Sequence, residues 1–359
     1  MSVSILILNI FFKTGHQRIN LQTYTMASSA SRFCKEILTK VGYGKLSCKL
    51  WGENVRSAEK FIALHGWLDN AGSFDPLMEK FLTKERCVAC LDFPGHGLSS
   101  HLPPGIPYSP AIEIQGVRSI VKQLGWTKYN IIGHSMGAMR AVLYAMCYPE
   151  EVTSVVALDG VIIPLKFTPG APYPVFGRQL DKYMKYCDTD SDTDREHTWE
   201  ELKDRWLSAV KDLREDDFNI LMRRGSRQLD NGMYIYTRDK ALHSRTNMVL
   251  THTTDTIIDS IKQAKDCSFL FIHSKMDFTT TEENRKVYLS HIKRLETICL
   301  LDSICMNAYL WLLRVVFLLK VQHVHYGGAH HFHMQEPEEI CAILTDFYSK
   351  RITTPSSSI

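Results

Sequence analysis

Short apolar runs punctuate this chain at intervals, and each ends in a polar or glycine-containing loop. Residues 61–64, 87–91, 129–132, 152–158 and 268–272 are the clearest, and residues 45–52 read as an earlier strand. Continuous runs of this length suit strands buried on both faces of a parallel sheet. Between them lie segments with helical spacing of apolar positions: 74–82, 111–124, 136–148, 282–292 and 337–348. Strand and helix in alternation predict a mostly parallel sheet with helices on both faces, an α/β architecture. From 160 to 265 the alternation stops. The stretch is charged and helix-prone, as in 199–212, and it predicts a helical cap inserted into the sheet's connectivity. The organisation is a poorly ordered leader over 1–30, a core over 31–159, the cap over 160–265, the rest of the core over 266–350, and a polar tail over 351–359.

Two segments break the pattern. Ile5 to Phe12 is apolar, but no positive charge precedes it and no small-residue cleavage site follows closely, so it is a weak secretory signal. Residues 297–321 approach membrane-spanning length, yet Asp302, Asn307 and Arg314 interrupt them. An atypical apolar segment of the core is therefore expected rather than a membrane span.

The pentapeptide Gly133-His134-Ser135-Met136-Gly137 sits where a predicted strand meets a predicted helix. A serine on such a turn projects its hydroxyl above the end of the sheet, where a histidine can deprotonate it. By chance, G-x-S-x-G arises in about one chain in ten of this length at ordinary Gly and Ser frequencies. The partners must carry the argument. Acyl transfer at serine needs a base, an acid to orient that base, and donors for the oxyanion. His330, in the glycine-bearing string Gly327-Gly328-Ala329-His330-His331-Phe332-His333, is the expected base, with His331 and His333 as rivals. Asp277, in the loop after the run at 268–272, is the expected acid. Asp159, which also ends a strand, is the second choice. The oxyanion donors are expected to be the backbone N–H groups of Met136 and of Trp67, in the loop opened by His65-Gly66.

Composition narrows the chemistry. A net charge of +3 over 359 residues gives no electrostatic case for nucleic acid. Ten cysteines without paired spacing read as reduced thiols of an intracellular protein. Cys87-x-x-Cys90 falls inside a strand run, which does not suit redox or zinc chemistry. Five histidines lie between His323 and His333, but no carboxylate or cysteine spacing completes a metal site there. No cofactor and no metal are expected. The cytosol is the expected compartment, with peroxisomal or vesicle-associated placement as the alternative, because Ser357-Ser358-Ile359 matches a peroxisomal address poorly.

At these residues the chain resembles the α/β-hydrolase fold family. The motifs are Leu64-His65-Gly66-Trp67-Leu68-Asp69-Asn70, the loop from Asp92 to Ser99, and Gly133 to Gly137. The Trp67 to Asn70 extension and the string Gly95 to His101 are similar to the serine hydrolase-like proteins of animals. So are Arg224-Gly225 and the stretch from Asn231-Gly232 to Arg238-Asp239. The resemblance spans about 45–350. It implies a cofactor-free Ser-Asp-His hydrolase, carried here by Ser135, Asp277 and His330, but no known substrate; the expectation from the serine chemistry is a small-molecule acyl substrate, a small or lipid-like carboxylic ester or thioester. Epoxide hydrolases and haloalkane dehalogenases of this fold carry aspartate at the nucleophile, so serine argues against both. One departure stands out: the apolar segment 297–321 separates Asp277 from His330. It motivates the rival expectation of a catalytically silent binding protein, beside that of a triad enzyme cleaving a carbon–carbon or peptide bond.

Overall fold

The computed structural model describes residues 34–160, 172–188, 195–210, 213–248, 264, 266–274, 321–326 and 328–352. Eight strands form one sheet in the spatial order β1-β2-β4-β3-β5-β6-β9-β10. They are β1 (Cys34–Val41), β2 (Gly44–Trp51), β3 (Glu59–Leu64), β4 (Arg86–Leu91), β5 (Tyr129–His134), β6 (Val152–Leu158), β9 (Ser268–His273) and β10 (Val321–His325). The first two strands pair antiparallel with each other, and β2 also runs antiparallel to β4. From β4 to β10 every pairing is parallel. The parallel strands β3, β4, β5, β6 and β9 are buried on both faces, and they are the runs that the apolar pattern marks out.

Helices cover both faces. On one lie α2 (Pro110–Leu124) and α3 (Met136–Cys147), with Val117, Ile120, Ala141 and Val142 packed on Ile62, Ile131 and Val155. On the other lie α1 (Asp75–Phe81) and the C-terminal α8 (Pro337–Ile352), with Leu77, Phe81, Leu344 and Phe347 packed on Phe61, Ile132 and Val156. Local chemistry fixes the boundaries. Ser109 caps α2 by accepting the Ile112 N–H, Pro110 takes the first position, and Gly125 ends the helix in the left-handed conformation at φ 69°.

The chain leaves β3 toward β4 on one side, and the strand on the other side of β3 is β5. The loops after β3 and β5 thus flank the point where the winding direction reverses, the crevice where ligands bind in open α/β sheets.

Among the described residues, three α-helices stand between β6 and β9: α4 (Pro172–Asp188), α5 (Trp199–Ala209) and α6 (Glu215–Gly225). A small antiparallel hairpin, β7 (Ser226–Gln228) with β8 (Tyr234–Tyr236), follows them and was not expected from the sequence pattern. Leu202, Trp206, Phe218 and Leu221 give the insertion its own core, against which Leu68 and Met334 pack. The leader, residues 189–194, the helical pattern 282–292 and residues 297–320 lie outside the described residues. Val321 opens β10 beside Phe269, and the Tyr326 N–H donates to the His273 carbonyl at 2.7 Å. The short helix α7 (Phe332–Gln335) follows. No described helix is long and apolar enough to cross a membrane.

Candidate active site

The serine turn is built by close packing. Ser135 links β5 to α3 with φ 51° and ψ −114°, a strained conformation for a residue with a side chain. Its N–H donates to the Leu158 carbonyl at 2.9 Å, which ties the turn to β6. A Cβ at Gly137 would sit 2.0 Å from the Leu64 carbonyl oxygen, and one at Gly133 would sit 2.3 Å from the Gly137 oxygen. Only glycine lets helix and strands approach this closely. The first N–H groups of α3 have no intrahelical acceptor, so the Met136 N–H is placed at the end of the sheet beside Ser135.

Two buried histidines hold the loop after β3. The Leu68 N–H donates to His96 Nε2 at 3.2 Å, while His96 Nδ1–H donates to the Pro94 carbonyl at 3.0 Å. The Phe93 N–H donates to His65 Nε2 at 3.0 Å, and His65 Nδ1–H donates to the Gly66 carbonyl at 2.7 Å. Each ring is thereby fixed in its Nδ1–H tautomer. Burial drives the His96 pKa down to about 3, so it stays a neutral acceptor. The loop bends at Leu68, where φ is 65°. Trp67 lies within this loop, and its indole N–H donates to the Leu242 carbonyl at 3.2 Å, which joins the loop to the insertion.

His330 lies on the loop between β10 and α7. Its ring centroid is 4.6 Å from that of His134, the residue before Ser135, and its carbonyl accepts His134 Nε2–H at 3.0 Å. Its Nδ1–H meets Asp159 Oδ2 at 2.6 Å. Asp159 follows β6 at φ 45°, and Ser274 binds it twice, N–H to Oδ1 at 2.9 Å and Oγ–H to Oδ2 at 2.7 Å. Burial pushes the Asp159 carboxyl up, but the His330 and Ser274 hydrogen bonds outweigh it and hold it below the usual range. Burial likewise lowers the His330 pKa, against the opposing pull of Asp159. Asp277, the acid favoured from the sequence, lies outside the described residues. Among the described residues, Asp159 is the carboxylate at His330.

His331 and His333 sit in a different environment. His331 Nε2 is 3.4 Å from Asp69 Oδ2, and His134 Nδ1 is 3.5 Å from the same oxygen. Asp69, His134 and His331 are all buried, and their ligand atoms lie within 4.8 Å of one another, spacing that could hold a cation. Burial disfavours the imidazolium of His331, yet the Asp69 anion raises its pKa, and the neighbouring histidines hold the Asp69 carboxyl well below its ordinary value against burial. His333 is fully buried, and burial keeps it neutral. This cluster ties the loop after β3 to the His330 loop behind the nucleophile. Sequence reasoning missed it, although its signals were there: a histidine inside the serine pentapeptide and an aspartate in the loop after β3.

A strand-turn-helix serine, a buried carboxylate–histidine pair and a sheet wound around both define an α/β-hydrolase. Comparison with known proteins agrees: the family model of the α/β hydrolase fold matches residues 61–239. The serine hydrolase-like protein of Danio rerio is 30% identical over 327 residues, covering 90% of each chain. Serine hydrolase-like protein 2 of Homo sapiens is 25% identical over 320 residues, covering 89% of this chain and 96% of the human one. The crystal structure of a hypothetical protein from Pseudomonas aeruginosa PAO1 superposes with a TM-score of 0.67 at 23% identity, covering 88% of this chain and 99% of that one. The chain belongs to the α/β-hydrolase fold family, and its fold and relatives are those of a hydrolase.

Proposed function

We propose that the protein is a serine hydrolase that cleaves a small or lipid-like carboxylic ester or thioester through an acyl-enzyme at Ser135. The observation that carries this reading is the 2.6 Å contact of Asp159 Oδ2 with His330 Nδ1, next to a serine held at φ 51°. With Nδ1–H bound to a carboxylate, Nε2 of His330 is left as the basic nitrogen.

In the first step Ser135 Oγ bonds to the substrate carbonyl carbon, and the Oγ proton passes to His330 Nε2. The carbonyl oxygen takes the electron pair and is held by the N–H groups of Met136 and Trp67. Collapse of this adduct breaks the bond to the alcohol or thiol, which leaves with the proton from Nε2. Water then attacks the acyl carbon while His330 takes its proton. The acid departs as that proton returns to Ser135 Oγ. Asp159 orients the imidazole and stabilises its charged form. In this reading the insertion over 160–265 acts as the cap of the site.

A cytosolic setting goes with the chemistry. Among the described residues, Cys34, Cys48, Cys87, Cys90, Cys147, Cys187 and Cys341 carry free thiols. Burial pushes the Cys87 thiol up to about 11 and raises Cys90 as well, so both stay inert.

The test is hydrolysis of a panel of acyl esters and thioesters of graded chain length. Ser135→Ala is expected to lower kcat by at least about 10⁴-fold on whichever member is turned over. Unchanged turnover by that variant would end the proposal.

A further inference from the structure

A set of cations on the insertion surrounds the tryptophan of the loop after β3. The Arg245 guanidinium stands 4.3 Å over the Trp67 ring. The His243 ring meets Trp67 edge-on, with centroids 6.0 Å apart, and Lys182 Nζ donates to the His243 carbonyl at 2.8 Å. Arg238 lies between two rings, 3.9 Å from the centroid of Tyr236 and 4.5 Å from that of Trp206. His243 registers the resulting field. Burial first, then Arg238, Lys182 and Arg245, push its pKa down to about 4, and no carboxylate among the described residues opposes them.

Lys182 donates to a carbonyl and Arg238 hydrogen-bonds Tyr236, but none of these cations is ion-paired with a carboxylate among the described residues. Elsewhere in the protein, buried guanidinium groups meet carboxylates: Arg140 meets Glu113, and Arg224 meets Glu36 and Asp92. Arg238 has no such partner among the described residues. The one carboxylate that acts on it, Asp69, is shared with His331. Its chain neighbour Asp239 faces away, accepting from Tyr108 Oη at 2.7 Å and from the Ala241 N–H at 2.8 Å. Burial lowers the Arg238 pKa to about 10, which reports a desolvated cation. Desolvating a cation without an anion is costly, and stacking on aromatic rings repays only part of that cost. A planar guanidinium fixed by two rings is pre-organised to bind a carboxylate with two parallel hydrogen bonds.

We propose that Arg238, assisted by Arg245 and Lys182, binds a carboxylate group carried by the substrate, so that the preferred esters are anionic at the end remote from the scissile bond. This rests on the acyl-enzyme reading for its catalytic consequence, but not for binding. The balance of charge favours it: the insertion supplies the cations, and the substrate supplies the missing anion.

The experiment compares two esters of equal chain length, mono-4-nitrophenyl adipate and 4-nitrophenyl hexanoate, on the full chain. The wild-type protein is expected to prefer the anionic ester by at least about tenfold in kcat/KM. Arg238→Gln is expected to remove that preference mainly through KM, and Arg238→Lys to restore part of it. Equal use of the two esters by the wild type overturns the proposal. So does an Arg238→Gln protein that loses activity on both in equal proportion. If that variant does not fold, Arg245→Gln, at an exposed position, is read instead, with a smaller loss of preference. If neither ester is turned over, the hydrolytic reading fails by itself and calorimetric titration with adipate decides the anion site. Wild-type binding that Arg238→Gln weakens at least about tenfold supports it; no binding by the wild type overturns it.

Discussion

Ser135 and Asp159 both hold left-handed backbone conformations, at φ 51° and 45°, and each costs on the order of 1 kcal/mol that packing must offset. Strain at Ser135 and at Asp159, the carboxylate beside His330, argues that both side chains are aimed rather than incidental. Ser135 and His330 stood out as candidates because their surroundings are unusual: glycines flank Ser135 and precede His330, and the order serine then histidine suits the sheet. The choice between acids was not legible. Asp159 and Asp277 each follow a strand-like run, and only a contact in space ranks them. Paired variants settle it. With Asp159 in the role, Asp159→Asn is expected to lower kcat about 10⁴-fold while KM changes little, and Asp277→Asn to stay within a few-fold of wild type. The reverse pattern returns the role to Asp277. The cluster of Asp69, His134 and His331 was missed for a similar reason: its signals are single residues far apart in sequence, and only the fold brings them together.

Elements were legible in proportion to their burial. The strands β3, β4, β5, β6 and β9 read as apolar runs because both faces of each are covered. The edge strand β1 did not, because Lys35, Glu36, Thr39 and Lys40 break its pattern on a half-exposed surface. The hairpin of β7 and β8 is three residues a side and polar on one arm, too short to carry a period. At the serine turn the elements constrain one another most tightly. Gly137→Ala is expected to cost at least about 3 kcal/mol, because the new methyl would meet the backbone of β3, which cannot give way like a side chain. Urea unfolding measures this, and a change under 1 kcal/mol would show that the approach of α3 to β3 is looser than described.

For the whole molecule, one buried cation joins three parts. Arg224 of α6 binds Asp92 after β4 through Nη2 at 2.6 Å and Glu36 of β1 through Nη1 at 2.8 Å. Asp92 in turn accepts the Ala71 N–H at 2.7 Å and the Leu98 N–H at 2.9 Å, so the insertion, the sheet edge and the loops near the site share one polar knot. Burial alone would raise the Asp92 carboxyl, but Arg224 pulls it below its ordinary 3.8. A carboxylate whose folded pKa is depressed adds stability that is complete above its unfolded pKa and is lost as pH falls through the folded value. Arg224→Met leaves Asp92 buried without its cation. It is expected to cost about 3–5 kcal/mol and to move acid unfolding to higher pH, as followed by circular dichroism. A variant that unfolds at the wild-type pH would mean that Asp92 is not held by Arg224.

The central claim is that Ser135 is a working nucleophile served by His330, and a fluorophosphonate probe tests it most directly. The probe bonds to the serine oxygen only where a base removes the proton and donors hold the developing charge. Peptide mass spectrometry of the labelled full chain is expected to find the adduct on Ser135, with His330→Ala and Ser135→Ala both unlabelled. No adduct on the folded wild-type protein, or an adduct on another serine, would contradict the account.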